Sequence, residues 1–353
     1  MFEEPDRNIF EDFSRQGASA NAFTSFDMTA YLFSCTENFD ENLKTLLHYV
    51  QNPYFTDENV EKERGIIGQE IRMYEDHPYW RVMFNFLALL YKEHPVKLDI
   101  AGTVESISHI TKELLYQCYH TFYHLSNMVL FIIGDIDVDQ TFDLALSQLK
   151  NQEYPGEIKR IYPSEPENVA GKQKEITLPV SMPMMMTGYK ETQLRQSGID
   201  LMRCHLETEM VLEMLFGRSS DFYETNYNEG LINDSFSCEY ELGDGYAHSC
   251  IYAETPDPKK LYEKILTHVK ESKQMGLNED VFLRVKKSMW GNFVMGLDNE
   301  ENFANSFVSW DFRGCSLLDF DHVYEKIDFS CVEKRFLEHF DEANCVLSIV
   351  KGE

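Results

Sequence analysis

Two glutamates seven residues apart, Glu63 and Glu70, lie in a stretch from Thr56 to Glu75 whose apolar residues recur at helical spacing. Turned at about 100° per residue from Val60, the residues Ile66, Ile67, Ile71, Met73 and Tyr74 share one arc. Glu63 and Glu70 project near its middle, at roughly 300° and 280°. Glu61, Lys62, Arg64, Gly65, Gly68, Gln69, Arg72 and Glu75 fill the other side, as a solvated face would. The wheel therefore predicts two carboxylates aimed into a buried face, two turns apart along one line. An unpaired carboxylate in such a place is costly, so a positive or hydrogen-bonding group must meet it. Arginine or lysine from elsewhere would serve, and so would a metal ion. A carboxylate oxygen is a good zinc ligand, but a catalytic zinc takes three protein ligands and an open place for water. Glu70 alone cannot hold zinc.

Other residues of the right type carry less. His120 and His124 stand four apart and could be mistaken for a metal pair on a helix, but ligation there is not expected. His48, His77 and His94 lie at a helix end or beside Pro78 and Pro95, where capping or surface roles are expected. Eight cysteines, Cys35, Cys118, Cys204, Cys238, Cys250, Cys315, Cys331 and Cys345, are scattered without a Cys-x-x-Cys and read as reduced thiols. Met182 and Met184 to Met186 read as an apolar strand.

The elements that must position these groups come as two copies of one α+β plan. Asn127 to Gly134 reappears as Asn344 to Lys351, each a buried-strand run after an amphipathic helix (111 to 123 and 330 to 340). The helix of Leu43, Leu46, Leu47 and Val50 corresponds to that of Tyr262, Ile265, Leu266 and Val269. A hairpin precedes each, from Asn21 to Phe33 and from Asp234 to Tyr252, and a long helix follows each, from Thr56 and from Asn278. Positions 63 and 70 then fall on Val285 and Asn292, so that face of the second copy has no carboxylates. Residues 151 to 173, with Pro155, Pro163 and Pro166, read as a linker.

The expected fold is α+β, with two homologous domains, each a mainly antiparallel sheet packed with helices. Residues 1–150 form the first and 174–353 the second. The second has strand and helix from 174 to 216 before Tyr223, whereas the first opens almost directly on a helix from Pro5 to Arg15, so the first is expected to be truncated at its N-terminus. Missing strands would leave apolar edges that favour aggregation or a partner.

With 43% apolar residues the 353-residue chain can fill two cores. A net charge of −28 argues against nucleic acid and against anionic membranes, both of which call for clustered lysine and arginine. No apolar run nears the length of a membrane span and no leader opens the chain, so the expectation is a soluble, cytoplasmic protein.

Gly17-Ala-Ser-Ala-Asn-Ala-Phe-Thr-Ser25, Glu61-Lys-Glu-Arg-Gly-Ile-Ile-Gly-Gln-Glu-Ile71, Tyr123-His-Leu-Ser-Asn-Met128 and Glu229-Gly-Leu-Ile-Asn-Asp-Ser-Phe236 together resemble the pitrilysin or insulinase family of zinc metallopeptidases. The likeness is to its bacterial members related to mitochondrial processing peptidase. In that family a His-x-x-Glu-His helix gives two zinc ligands and the general base, and a later glutamate gives the third ligand. The resemblance implies that Glu70 is this ligand, that Glu63 supports the metal site, and that Asn21, Ala22 and Phe23 form an edge that pairs with extended peptide. A plain edge strand is the alternative for the last three. No His-x-x-Glu-His occurs in the sequence, and in relatives it ends just before the position of Met1. Two readings follow. One is a zinc endopeptidase for short unfolded peptides, with zinc in the intact parent, weak or absent zinc here, and no catalytic residues in this chain. The other is a non-catalytic peptide-binding subunit that pairs with an active homologue, as a homo- or heterodimer.

Overall fold

The structure is a computed structural model that describes residues 3–4, 7–151, 153, 156–195 and 198–352. Its first elements are β1 (Glu3–Glu4), β2 (Arg7–Asn8), α1 (Ile9–Arg15), β3 (Ala18–Thr24), β4 (Thr29–Cys35), α2 (Phe39–Gln51) and α3 (Asp57–Glu75). Then come α4 (Pro78–Leu90), α5 (Val104–Ser108), α6 (Lys112–Phe122) and α7 (Val138–Gln148). The rest runs β5 (Gln173–Thr177), β6 (Met184–Tyr189), α8 (Gly198–Phe216), α9 (Asp221–Asn228), β7 (Ser237–Gly243) and β8 (Tyr246–Glu254). It ends with α10 (Pro258–Met275), α11 (Glu279–Gly296), α12 (Glu300–Phe312), α13 (Phe320–Glu325), α14 (Phe329–His339) and β9 (Cys345–Lys351). The protein is thus α+β, with antiparallel pairing dominant. Of the expected opening helix from Pro5, the part from Ile9 is present; Pro5 and Asp6 lie outside the described residues, as does Pro155 of the linker.

Contacts divide the chain into two compact units, Met1–Arg72 with Ile100–Ile161, and Met73–Asp99 with Tyr162–Glu353. In the first, β3 and β4 form an antiparallel hairpin with Asn21 opposite Leu32, Ala22 opposite Tyr31 and Phe23 opposite Ala30. Ile9 and Phe13 of α1 and Leu46, Tyr49 and Val50 of α2 close one core, joined by Tyr119 of α6. Tyr119 donates its hydroxyl to the Val50 carbonyl at 2.7 Å, and the Tyr31 and Tyr123 hydroxyls meet at 2.6 Å.

The second unit is built on a five-stranded sheet in the order β5-β9-β6-β8-β7. Because strand side chains alternate, its two faces have separate cores. Met185, Tyr189, Leu347 and Ile349 face the large core shared with α8, α10 and α14. Met186, Val346 and Val350 face the other way, onto Val82, Phe86, Leu87 and Leu90 of α4. Both faces are buried, which is why β6 and β9 read as continuous apolar runs. The Ser249 backbone of β8 requires Gly188, since a Cβ there would meet the Ser249 carbonyl oxygen at 1.8 Å, and the Phe86 ring of α4 stands 3.1 Å from the same point. Truncating Phe86 would open a cavity costing about 3–5 kcal/mol.

The 156–172 stretch has neither helix nor strand, but it is anchored. Glu165 accepts the backbone N–H groups of Lys92, Glu93 and His94 at 2.9, 2.7 and 2.7 Å, and its carboxylate meets the Lys190 ammonium at 2.5 Å.

The two copies part at their final strands. In the second, β9 lies between β5 and β6. In the first, the expected strand from Asn127 to Gly134 is not formed: after a short 3-10 turn the chain is irregular, with Val129, Leu130 and Ile133 exposed by 40%, 44% and 40%. The run is as apolar as its counterpart, but among the described residues no strand pairs with it, and an unpaired backbone does not stay extended by propensity alone.

Candidate functional site

The helix α3 begins at a reciprocal cap. The Thr56 hydroxyl accepts from Asn59 N–H at 3.1 Å, and the Asn59 side chain accepts from Thr56 N–H at 2.8 Å. Asp57 and Glu58 in the first turn suit the positive end of the dipole. Arg64 then pins the helix sideways, donating to the Ile110 carbonyl at 2.8 Å. Val60, Gly68 and Ile71 are buried on that side.

This is not the side the wheel predicted. Ile66 is 49% exposed and Met73 58%, Glu70 is exposed, and Glu63 is half-buried. The buried arc is turned toward Arg64 and Gly68, and the arc of Ile66, Met73 and the two glutamates is largely open. The reason is physical: periodicity shows that a helix has two unlike faces, but burial needs a neighbour, and the described residues cover only the Val60–Ile71 side. Glu63 and Glu70 do share a face, with about 10 Å of helix rise between them.

Asn21 and Ala22 are exposed and Phe23 half-buried on β3, whose partner among the described residues is β4. The Asn21 side-chain oxygen accepts from the Ala22 N–H at 2.8 Å, as an adjoining strand's carbonyl would. At Ala22 an extended chain could pair with this edge only by displacing that side chain.

The histidines are used locally. His48 meets Glu4 at 2.9 Å, His120 stacks on Tyr116 with centroids 6.1 Å apart, and His124 bonds the Ser126 hydroxyl at 2.7 Å. His94 is buried, bonded to the Asp244 carbonyl at 3.0 Å and to Val96 N–H. Among the described residues no three His, Cys, Asp or Glu side chains gather at metal-holding distance.

One buried run has the order of a nucleophile, base and acid. Ser249 Oγ lies 3.0 Å from His339 Nε2, and His339 Nδ1 lies 3.3 Å from Glu191. Burial alone would raise the Glu191 pKa, but His339 and Arg335 hold it well below the usual carboxylate range. Exposures of 0%, 2% and 5% deny Ser249, His339 and Glu191 any substrate, so this network is internal scaffolding.

In the second copy Val285 is buried in the core, but Asn292 borders a cavity of about 650 Å³ whose other walls include Glu209 and Glu213 of α8 and Glu239 and Glu241 of β7. The face taken to have lost its carboxylates is met by carboxylates from other elements. Their signal in the sequence was Glu209 and Glu213, four apart among Met210, Val211, Leu212, Met214 and Leu215, all of them buried in α8. The outer edge of β7 is also plugged by side chains: Glu209 accepts the Tyr240 N–H, and Arg313 donates to the Leu242 carbonyl at 3.1 Å.

Comparison with known proteins places the chain in a family. The model of the family described as Insulinase (Peptidase family M16) matches residues 2–104, and that of the Peptidase M16 inactive domain matches residues 109–289. The zinc protease YmfH of Bacillus subtilis is 45% identical over 94% of this chain and 78% of its own length. An M16-like peptidase from Alicyclobacillus acidocaldarius superposes with a TM-score of 0.96 at 38% identity, covering 100% of this chain and 84% of that one. A protease from Helicobacter pylori shares the fold, with a TM-score of 0.85 at 16% identity over 99% of this chain and 86% of its own. With matching models over both halves and a relative so similar along its length, this chain belongs to the insulinase family of peptidases, family M16.

Proposed function

We propose that the chain supplies the acidic ligand and the peptide-holding edge of an M16 zinc endopeptidase for short, unfolded peptides, and that alone it does not hydrolyse them. The observation that carries this reading is the open face of α3, where Glu63 and Glu70 flank exposed Ile66. Carboxylates mixed with bare apolar side chains suit a face to be covered by another element that brings a metal.

The family implies zinc, and the donor set here does not suffice for it. Glu70 offers one oxygen ligand and Glu63 stands about 10 Å along the axis, whereas a catalytic zinc takes three protein ligands. With His-x-x-Glu-His absent from the sequence, no hydrolytic step is assigned to this chain. In this reading its own residues bind and orient: Glu70 gives a ligand, Glu63 orients it, and the β3 edge at Asn21, Ala22 and Phe23 pairs with the backbone of an extended peptide. Residues 1–150 and 174–353, joined by 151–173, are the two homologous halves.

The second reading, a non-catalytic partner of an active homologue, draws on exposed Val129, Leu130 and Ile133. That apolar run suits a second chain as well as a segment of the same one. All eight cysteines are free, which fits a reducing cytoplasm. No helix among the described residues is long and apolar enough to cross a membrane.

The test is hydrolysis of an internally quenched peptide. The 353-residue chain with added zinc should give no turnover, and a version extended upstream with a His-x-x-Glu-His helix should cleave it. Zinc-dependent turnover by the unextended chain would refute the proposal.

A further inference from the structure

The cavity along the outer edge of β7 lies wholly within the second unit and is unused by the function proposed above. Glu209, Glu213, Glu239 and Glu241 supply its charge, while Leu206, Met289, Phe293 and Trp310 supply apolar wall. Arg313 is the basic group on its lining; it donates to the Ser309 and Leu242 carbonyls and lies 5.6 Å over the Trp310 ring.

Gathered carboxylates do not by themselves name a ligand, but unfilled acceptors do. Glu209 spends Oε1 on the Tyr240 N–H, and its Oε2 has no hydrogen-bond or ion-pair partner among the described residues. His205 stands one turn away on the same helix and also lines the cavity. Burial holds its pKa down to about 4, so at neutral pH the ring is uncharged. Its Nδ1 is buried without a partner among the described residues.

We propose that this cavity binds a small organic cation with a primary alkylammonium group, which donates to Glu209 and Glu213 while its methylene chain lies along Phe293 and Trp310. A bare metal ion fits less well. No three acidic, histidine or cysteine side chains converge at coordination distance among the described residues, and about 650 Å³ far exceeds the ~30 Å³ of one water. Aromatic walls beside carboxylates suit an ammonium on an alkyl stem.

The electrostatics give the binding a pH signature. Burial pushes Glu209 up to about 8, with the charges of Glu239, Glu241 and Glu213 adding to the rise and the Tyr240 N–H opposing it. Burial raises Glu213 and Glu239 as well. An ammonium bound at neutral pH must therefore expel the Glu209 proton, so affinity should climb up to about 10-fold per pH unit and level above pH 8.

The experiment is calorimetric titration of the full chain with spermidine and, separately, with the peptide Ala-Lys-Ala amide. Saturable one-site binding of either probe is expected, weakened at least about 10-fold in Glu209→Gln/Glu213→Gln and unchanged in Glu300→Gln/Glu301→Gln on the exposed start of α12. Binding of spermidine alone assigns a free amine as the source, and binding of the peptide assigns a lysine side chain. Ser306→Trp at the mouth leaves the carboxylates intact and should weaken binding similarly, which guards against a misfolded double variant. Equal binding by the parent and both cavity variants, or no saturable binding by the parent up to roughly 10 mM, would overturn the proposal. None of these outcomes depends on peptidase activity.

Discussion

Glu63 and Glu70 stand two turns apart on one side of α3, half-buried and exposed respectively, with Ile66 between them bare to 49%. A solvated helix face does not need that isoleucine, and a packed core would not leave Glu70 exposed. The combination suits a surface completed by another element, and it motivates the first prediction. In a version carrying a His-x-x-Glu-His helix, Glu63→Gln should lower zinc affinity about 10- to 100-fold by removing the charge that orients the ligands. Competition with a chelator of known affinity checks it.

The clamp of Glu165 on Lys190 should contribute to acid stability in the second unit, alongside the buried Glu191. Burial alone would raise Glu165, but Lys190 and three backbone N–H groups hold it down to about 2. The folded value lies below the ordinary 4.5, so this stabilisation is present above about pH 4.5 and is lost as pH falls toward 2. Lys190→Met, which strands the carboxylate, should cost about 3–5 kcal/mol in urea unfolding at pH 7. Glu165→Gln should flatten the acid limb.

Glu209 acts with the opposite sign. Its folded pKa of about 8 lies above 4.5, so its contribution is full below about pH 4.5 and is lost as pH rises through 8. Glu209→Gln keeps the acceptor for Tyr240 N–H and removes the charge. Its melting temperature should gain on that of the parent at pH 9 and match it at pH 5.

Much of the layout was legible because it is local. The repeat appears in the sequence as helical spacing at Leu43–Val50 and Tyr262–Val269 and as paired hairpins, and these became α2, α10, β3–β4 and β7–β8. What needed distant neighbours was not legible. The wheel of α3 gave two faces without saying which is covered, and Ile66 and Met73 misled because apolar type was taken for burial. Residues 127–134 carry the same apolar run as β9 but lack its flanking strands. The packing of α4 on β6 and β9, the bond of Glu209 to Tyr240, and the cavity that Glu209 shares with Asn292 join residues far apart in sequence, which periodicity does not encode.

The exposed run from Val129 to Ile133 should make the chain self-associate. Sedimentation velocity should show mass above the monomer that rises with concentration. Leu130→Lys with Ile133→Lys should shift it toward monomer without lowering the melting temperature, since neither side chain is buried.

The metal content of purified protein tests the central claim most directly. Chain alone should hold far less than one zinc, chain extended with a His-x-x-Glu-His helix should hold about one, and Glu70→Gln in the extended version should lose most of it. One tightly held zinc on the unextended chain, or an extended Glu70→Gln variant that keeps its zinc, would contradict the assignment of Glu70 as a ligand completed by residues outside this chain.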